Sequence, residues 1–392
     1  MGALKDTVSV VGVGATDYRD DYRCEAGRAA NKGSGARDSY QLAARSLRRA
    51  LADGGLHKSQ IDGLCVGGPI RVERASELFG INPSWAIAAD APRAIIQATQ
   101  AINAGLCNTV ACIYGNAQRS QNVQYGGGKA MGGSTALSYV YYAPWGMTSQ
   151  GALYAMMFKR HQLTYGTAEE QLGAVPVAFR KHASLNPNAV MGEPLTVAEY
   201  LDSPYIAEPL RLLDYCLVND GGVTLIIQRA DRAKHSKQTP VNVSGFGWSG
   251  LSVDATQLRP RLKDFYYPAH RAVAAQVYPM CGYGPRDIDV YGTYDSFSAH
   301  LLFSLEGFGF CPEGDAGSWI QNGRIEIGGE LPCNTSGGML SESYMQGWNH
   351  QVELVRQLRG GLGVRQVTGA NIAQYTQDAL GTCLSVVYTK GG

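Results

Sequence analysis

The chain has 392 residues, 45% of them hydrophobic and 17% charged, the balance of a globular protein with a large interior. At that length roughly two to three domain-sized units are expected. Lys and Arg number 34 against 33 Asp and Glu, and the resulting net charge of +1 argues against a nucleic-acid or membrane-surface role. Glycine is abundant, with 49 residues and no repeat, which points to many tight turns and close backbone approaches. Nine cysteines are scattered singly without a Cys-x2-Cys pair, as expected of free thiols in a reducing compartment without structural zinc. Met1 to Val11 lacks the apolar core of a signal peptide, and no apolar run reaches the roughly 18 residues of a membrane helix. A cytoplasmic protein is expected.

In chain order, Thr7-Val-Ser-Val-Val-Gly-Val-Gly14 is an apolar run ended by glycine, the pattern of a buried strand. Residues 38–53 carry helical periodicity through Leu42, Ala43, Leu47 and Leu51, and residues 61–66 return to a strand. Strand, helix and strand with short connections indicate a largely parallel α/β sheet. From about 114 to 209 the pattern loosens into an insert. It contains a Gly-rich stretch at 125–134 and the aromatics Tyr139, Tyr141, Tyr142 and Trp145. A phosphate cradle needs a strand before it and a helix after it, so a surface loop or a flap over a large apolar ligand are the two readings. The grammar then repeats: strand 241–246, helix 270–280, strand 288–291. Gly55 and Asp62 are spaced like Gly282 and Asp289, consistent with a duplicated unit: residues 1–235 and 236–392.

Specific stretches resemble the thiolase superfamily. Val10-Val-Gly-Val-Gly14, Ala52-Asp-Gly-Gly-Leu56 and Ile61-Asp-Gly63 resemble its opening. Ala183-Ser-Leu-Asn-Pro187, Pro209 to Cys216, Asp220-Gly-Gly222, Asp295-Ser-Phe297 and Asn334-Thr-Ser-Gly-Gly338 resemble its sterol carrier protein x branch. The resemblance implies a five-layer α-β-α-β-α sandwich of two similar halves that forms homodimers.

The departures from that family carry the functional reading. Thiolases hold a nucleophilic cysteine where a helix follows the third strand; counting back from Ile102 and Gly105 gives Ala88, and Ala86 to Ala91 has no thiol. Without a thiolate no acyl-enzyme forms. The second catalytic cysteine is missing from Gln377 to Gly381, and the nearby Cys383 belongs to the following strand as a core thiol. Where the family has Asn or His before an acidic position, this chain has Tyr294 and Asp295; where it has Gly-His-Pro, this chain has Ser343-Tyr344-Met345. Ser343 and Gln346 fit a capping box, which would place Tyr344 in the first turn of a helix whose dipole favours a phenolate.

Two tyrosines at oxygen-handling positions resemble the steroid side-chain-cleaving aldolases within the superfamily. That resemblance implies retro-aldol cleavage of a 17-hydroxy-steroid C22 carboxyl-CoA to a 17-keto-steroid and propionyl-CoA, with the CoA thioester as substrate and no cofactor. It names Tyr294 and Tyr344 as catalytic and Asp295 as supporting, while His300 and Asn334 are expected to be structural. It further implies a small zinc-ribbon/OB-fold partner, free or attached to the preceding hydratase, and a heterotetramer built on the homodimer. The rival readings are a relative acting on another branched or aromatic acyl-CoA, and a non-catalytic acyl-CoA or sterol-binding scaffold.

Overall fold

The structure is a computed structural model that describes residues 4–23, 38–123, 143–147, 149–250, 265–379 and 382–391. The chain opens with β1 (Val8–Ala15), α1 (Ser39–Gly54), β2 (Gly63–Gly67), α2 (Val72–Phe79), β3 (Trp85–Ala88), α3 (Arg93–Asn103) and β4 (Thr109–Ala117). After the insert, which holds α4 (Gln150–Tyr165), α5 (Glu169–Ser184) and the β5 (Tyr205–Ala207) and β6 (Leu210–Arg211) pair, β7 (Asp220–Arg229) completes the first series of strands. The second part runs β8 (Val241–Gly250), α6 (Tyr267–Cys281), β9 (Val290–Thr293), α7 (Ala299–Phe308), α8 (Gly338–Ser341), α9 (Trp348–Arg359), β10 (Ile372–Ala379) and β11 (Thr382–Lys390).

The strands form the order β3-β2-β4-β7-β1-β8-β11-β10-β9. Moving outward from the centre, β1-β7-β4-β2 and β8-β11-β10-β9 repeat the same pairings: two antiparallel, then one parallel. Even the outer edge is echoed, since Tyr291 of β9 makes a parallel bridge to Cys333 where β2 pairs with β3. The two series join antiparallel through only Ser9–Asn242 and Val10–Val241.

Three sets of helices complete five layers. α1 is fixed at its start by a capping box, with Asp38 accepting from Gln41 N at 2.8 Å, and ends at Gly55, whose φ of 66° is left-handed. Its Ala43, Leu47 and Ala50 pack with Ile113 and Ile226 on one outer face. α6 covers the opposite outer face through Ala269 and Val273 against Cys383, and Val277 and Cys281 against Val387. Between the sheets lie α3 and α9, whose Ile95, Ile102, Val352 and Val355 share one core with strands of both series. A fourth cluster joins α4, α5 and α7.

The outer helices sit unusually close to their strands. A Cβ on Gly12 would lie 2.4 Å from the Ala50 carbonyl oxygen, and one on Gly14 would lie 2.2 Å from that of Ser46. The second series repeats this at Gly245 and Gly247, 2.8 and 2.9 Å from the Val277 and Val273 oxygens. Gly14→Ala must push α1 off the sheet at a cost of about 1–3 kcal/mol. Gly247→Ala is expected to cost less, having more room. Thermal melts of the two variants check this; equal, wild-type stability for Gly14→Ala would remove the close-packing argument.

Candidate active site

The site grows from the end of β9. Asn334, with a φ of 45°, accepts from Thr293 N at 2.9 Å and donates to Thr293 O at 3.0 Å, closing off the strand. Tyr294 still bonds its N–H to Thr376 O on β10, and the chain then leaves the sheet. Asp295 follows, wholly buried, and accepts from Met339 N at 2.9 Å, Leu340 N at 3.2 Å and His350 Nε2 at 2.7 Å. Gly338 has to be glycine, because a Cβ there would lie 2.1 Å from Asp295 Oδ2. The Asp295 and Asn334-to-Gly338 stretches are therefore one structural unit.

Tyr344 is suspended from the other side. Its N–H donates to Asn219 Oδ1 at 2.7 Å, and its carbonyl accepts from Asn116 Nδ2 at 3.4 Å. Asn219 also donates to Ser343 Oγ at 2.7 Å. This overturns the capping box expected from the sequence. The Ser343 hydroxyl is taken by Asn219, Gln346 has a left-handed φ of 48°, and the helix begins only at Trp348 behind the N-cap Gly347. Tyr344 thus lies in the loop before α9, and the dipole argument for a phenolate at its first turn no longer applies.

The two phenols meet. Tyr294 Oη and Tyr344 Oη are 3.5 Å apart, in side chains only 7% and 8% exposed. That separation exceeds the 2.5–3.0 Å of a usual O–H···O bond, so the hydroxyls face each other without being locked together. Met339 and Ala379 pack against them, with Cys216 and Leu217 at the rim. Burial pushes the Tyr294 phenol well above its usual range, and the facing Tyr344 hydroxyl offsets only part of this. Tyr294 is therefore a neutral hydrogen-bond donor near pH 7.

The thiolase nucleophile position is occupied differently. Ala88 ends β3 instead of starting a helix; α3 begins at Arg93, with Pro92 as its N-cap, and a residue before proline is steered away from helix. Asp90 accepts from Gly68 N at 2.9 Å, and the wholly buried Trp348, stacked on Tyr114 with ring centroids 5.9 Å apart, packs onto Gly67 beside it. Cys383 is wholly buried in the α6 core, where burial raises its thiol pKa. Cys216, beside the phenols, is likewise pushed up, by burial and by Asp295. The eight described cysteines are all unpaired. Among the described residues no group of three His, Cys, Asp or Glu side chains is gathered as for a metal. The Gly-rich stretch at 125–134 and Tyr139, Tyr141 and Tyr142 lie outside the described residues, while Trp145 is 86% exposed.

His300 is wholly buried and bonded to Ser296 and Asp378, a connection that sequence reasoning missed. The signal was faint: Asp378 falls in the window that lacks the second cysteine, but its partner lies 78 residues away.

A family model for the thiolase C-terminal domain matches residues 250–389. The steroid side-chain-cleaving aldolase of Thermomonospora curvata is 33% identical over 374 residues, covering 92% of each chain. The chain belongs to the thiolase superfamily, in its steroid side-chain-cleaving aldolase branch. The 17-hydroxy-3-oxo-4-pregnene-20-carboxyl-CoA lyase of Mycobacterium tuberculosis is 34% identical over 91% of this chain and 92% of its own. Among solved structures, the Ltp2–ChsH2(DUF35) aldolase superposes with a TM-score of 0.85 at 29% identity, covering 99% of both chains.

One support of this site titrates. His182 on α5 accepts from Ile327 N at 3.1 Å, and its Nδ1 lies 3.3 Å from the carbonyl oxygen of Asn334, the residue that closes β9. The Ile327 bond needs an unprotonated Nε2, whereas the Nδ1–H bond to Asn334 favours the charged ring; burial outweighs it and lowers the pKa to about 4. Unfolded histidine titrates near 6.5, so the unfolded chain takes up the proton first. The stabilisation is complete above about pH 6.5 and is lost as pH falls towards 4, by about 3 kcal/mol in total. Denaturant titrations across this window are expected to show the loss in wild type and a smaller slope in His182→Gln. Equal slopes would exclude His182 as the titrating group.

Proposed function

We propose that this protein cleaves a carbon–carbon bond of a β-hydroxy acyl-CoA by retro-aldol chemistry in the cytoplasm. The substrate class we infer is a 17-hydroxy-steroid C22 carboxyl-CoA, which gives a 17-keto-steroid and propionyl-CoA. The observation that carries this is the pair of buried phenols, 3.5 Å apart, at positions where thiolases handle oxygen, in a chain without the thiolase nucleophile. The names of the two relatives supply the steroid class.

The chemistry follows from the thioester. Removing the proton of the β-hydroxyl lets its oxygen form a carbonyl as the bond between the α and β carbons breaks. The electron pair moves into the thioester as an enolate, so no Schiff base is needed. This asks for a base at the hydroxyl, a donor at the thioester oxygen and a proton for the α-carbon. Tyr294, held neutral, suits the donor. Tyr344, reacting as its phenolate, then takes the hydroxyl proton and becomes the neutral phenol, with Asp295 fixing the loop that carries Tyr294. Leu217 and Ala379 supply apolar surface suited to a steroid ring system.

Phenylalanine preserves ring packing and removes only the hydroxyl, so Tyr294→Phe and Tyr344→Phe should fold and still bind acyl-CoA. Each should lose about 10²–10⁴-fold in turnover, measured by mass spectrometry of the steroid ketone released. Near wild-type turnover in both would assign the chemistry elsewhere.

The solved neighbour joins an aldolase to a DUF35 component. We propose the same kind of partner here, a small zinc-ribbon/OB-fold protein or hydratase-attached domain, two copies of it bound to a homodimer of this chain. Light scattering of the active complex is expected to give that 2:2 mass, and an active complex with a single copy of this chain would refute it.

A further inference from the structure

A line of buried polar groups leads away from the two phenols. Ser296 Oγ lies 2.9 Å from His300 Nε2, and His300 Nδ1 lies 2.7 Å from Asp378 Oδ1. The other carboxylate oxygen, Asp378 Oδ2, is 3.0 Å from His270 Nε2. His300, Asp378 and His270 are wholly buried, whereas Ser296 keeps 6% of its surface. Burial works against the Asp378 charge, but the two imidazoles outweigh it and hold the carboxyl below its usual range. Sequestering such groups is costly compared with an apolar core of the same volume, so packing alone does not account for them.

The line begins at the site. Ser296 is two residues beyond Tyr294, and the His300 ring meets the Tyr294 ring edge-on, with centroids 5.6 Å apart. Ala379, next to Asp378, packs in the same cluster as both phenols. Cys216, at the rim of that cluster, donates its N–H to the Ser296 carbonyl. An imidazole with Nδ1 on a carboxylate and Nε2 on a hydroxyl is the arrangement by which an alcohol exchanges a proton.

The retro-aldol scheme leaves one need unfilled, the proton for the α-carbon. We propose that Ser296, backed by His300 and Asp378, delivers it; the inference rests on the retro-aldol reading. The Ser296 O–H bond breaks as the new C–H bond forms on the enolate. The serine oxygen recovers a proton from Nε2 of the His300 imidazolium, whose charge Asp378 has balanced. Tyr344 meanwhile holds the proton taken from the β-hydroxyl. When Tyr344 releases that proton and His300 regains one, the cycle closes with no net proton consumed. Ser296 is the group that meets substrate, while His300 and Asp378 are positioning residues, with His270 fixing the far carboxylate oxygen.

The same step run backwards gives a test independent of carbon–carbon cleavage. The purified assembly, incubated with propionyl-CoA in D2O, is expected to exchange the α-hydrogen, followed by mass spectrometry. Ser296→Ala should slow both this exchange and steroid cleavage by about a hundredfold or more, while melting like wild type. Ser296→Thr keeps a hydroxyl and should restore most of both activities, which a purely structural serine would not explain. His300→Gln should resemble Ser296→Ala, and if it fails to fold the serine pair still decides. Wild-type exchange in a folded Ser296→Ala, with cleavage also intact, would overturn the relay and leave the retro-aldol reading standing. Hydrolysis of propionyl-CoA by wild type but not by Ser296→Ala would overturn it too, by making the serine a nucleophile. A wild-type assembly unable to cleave the steroid acyl-CoA would defeat both readings.

Discussion

Everything at the centre of this protein depends on one carboxylate. Asp295 is wholly buried and receives two backbone N–H groups and an imidazole. Hydrogen bonds to a charged group are each worth about 1.5–3 kcal/mol, so the three together hold the loop firmly. Its chain neighbours are Tyr294 and Ser296. Fixing one carboxylate therefore fixes the phenol before it and the hydroxyl after it. The same contacts tie the end of β9 to α8 through Met339 and Leu340, and to α9 through His350.

The two strand series share an architecture but no longer share tasks. The first has lost its thiol, and the space beside Gly67 is filled by Trp348 from the second. What the first series contributes is support: Asn116 at the end of β4 and Asn219 before β7 hold the main chain of Tyr344. The second supplies Tyr294, Tyr344, Ser296 and the buried acid–base pairs behind them. The residues proposed for the chemistry thus all lie in the second series, and the first holds them in place.

The duplicated sheet was legible in outline. Hydrophobic runs and their spacing located β1, α1, β2, β8, α6 and β9 within a few residues, because burial and helical periodicity leave direct marks. A stronger mark was there: Val8-x-Val-x-Gly12-x-Gly14 recurs as Val241-x-Val-x-Gly245-x-Gly247, the glycines marking where each outer helix touches its strand. The phenols stood out by the positions they occupy, but their 3.5 Å approach did not. The capping box misled because a local pattern cannot reveal that Asn219, 124 residues away, takes the Ser343 hydroxyl. The Ser296, His300, Asp378 and His270 line was illegible for a related reason. Its members lie on three separate segments, and only the fold brings them together.

The way the two phenols are hung has a mechanical side. Tyr294 is carried by β9 and the Asn334 clamp, whereas Tyr344 is held by asparagines that belong to the other strand series. The pair is therefore positioned from both series, because Ser343 N also bonds Gly338 O in the unit that holds Asp295. Slip between the series is thus felt at the two hydroxyls, 3.5 Å apart. The converse also holds, since a molecule bonded to both hydroxyls is a strut between the series. Occupancy of the site and cohesion of the two sheets are then coupled quantities, each strengthening the other.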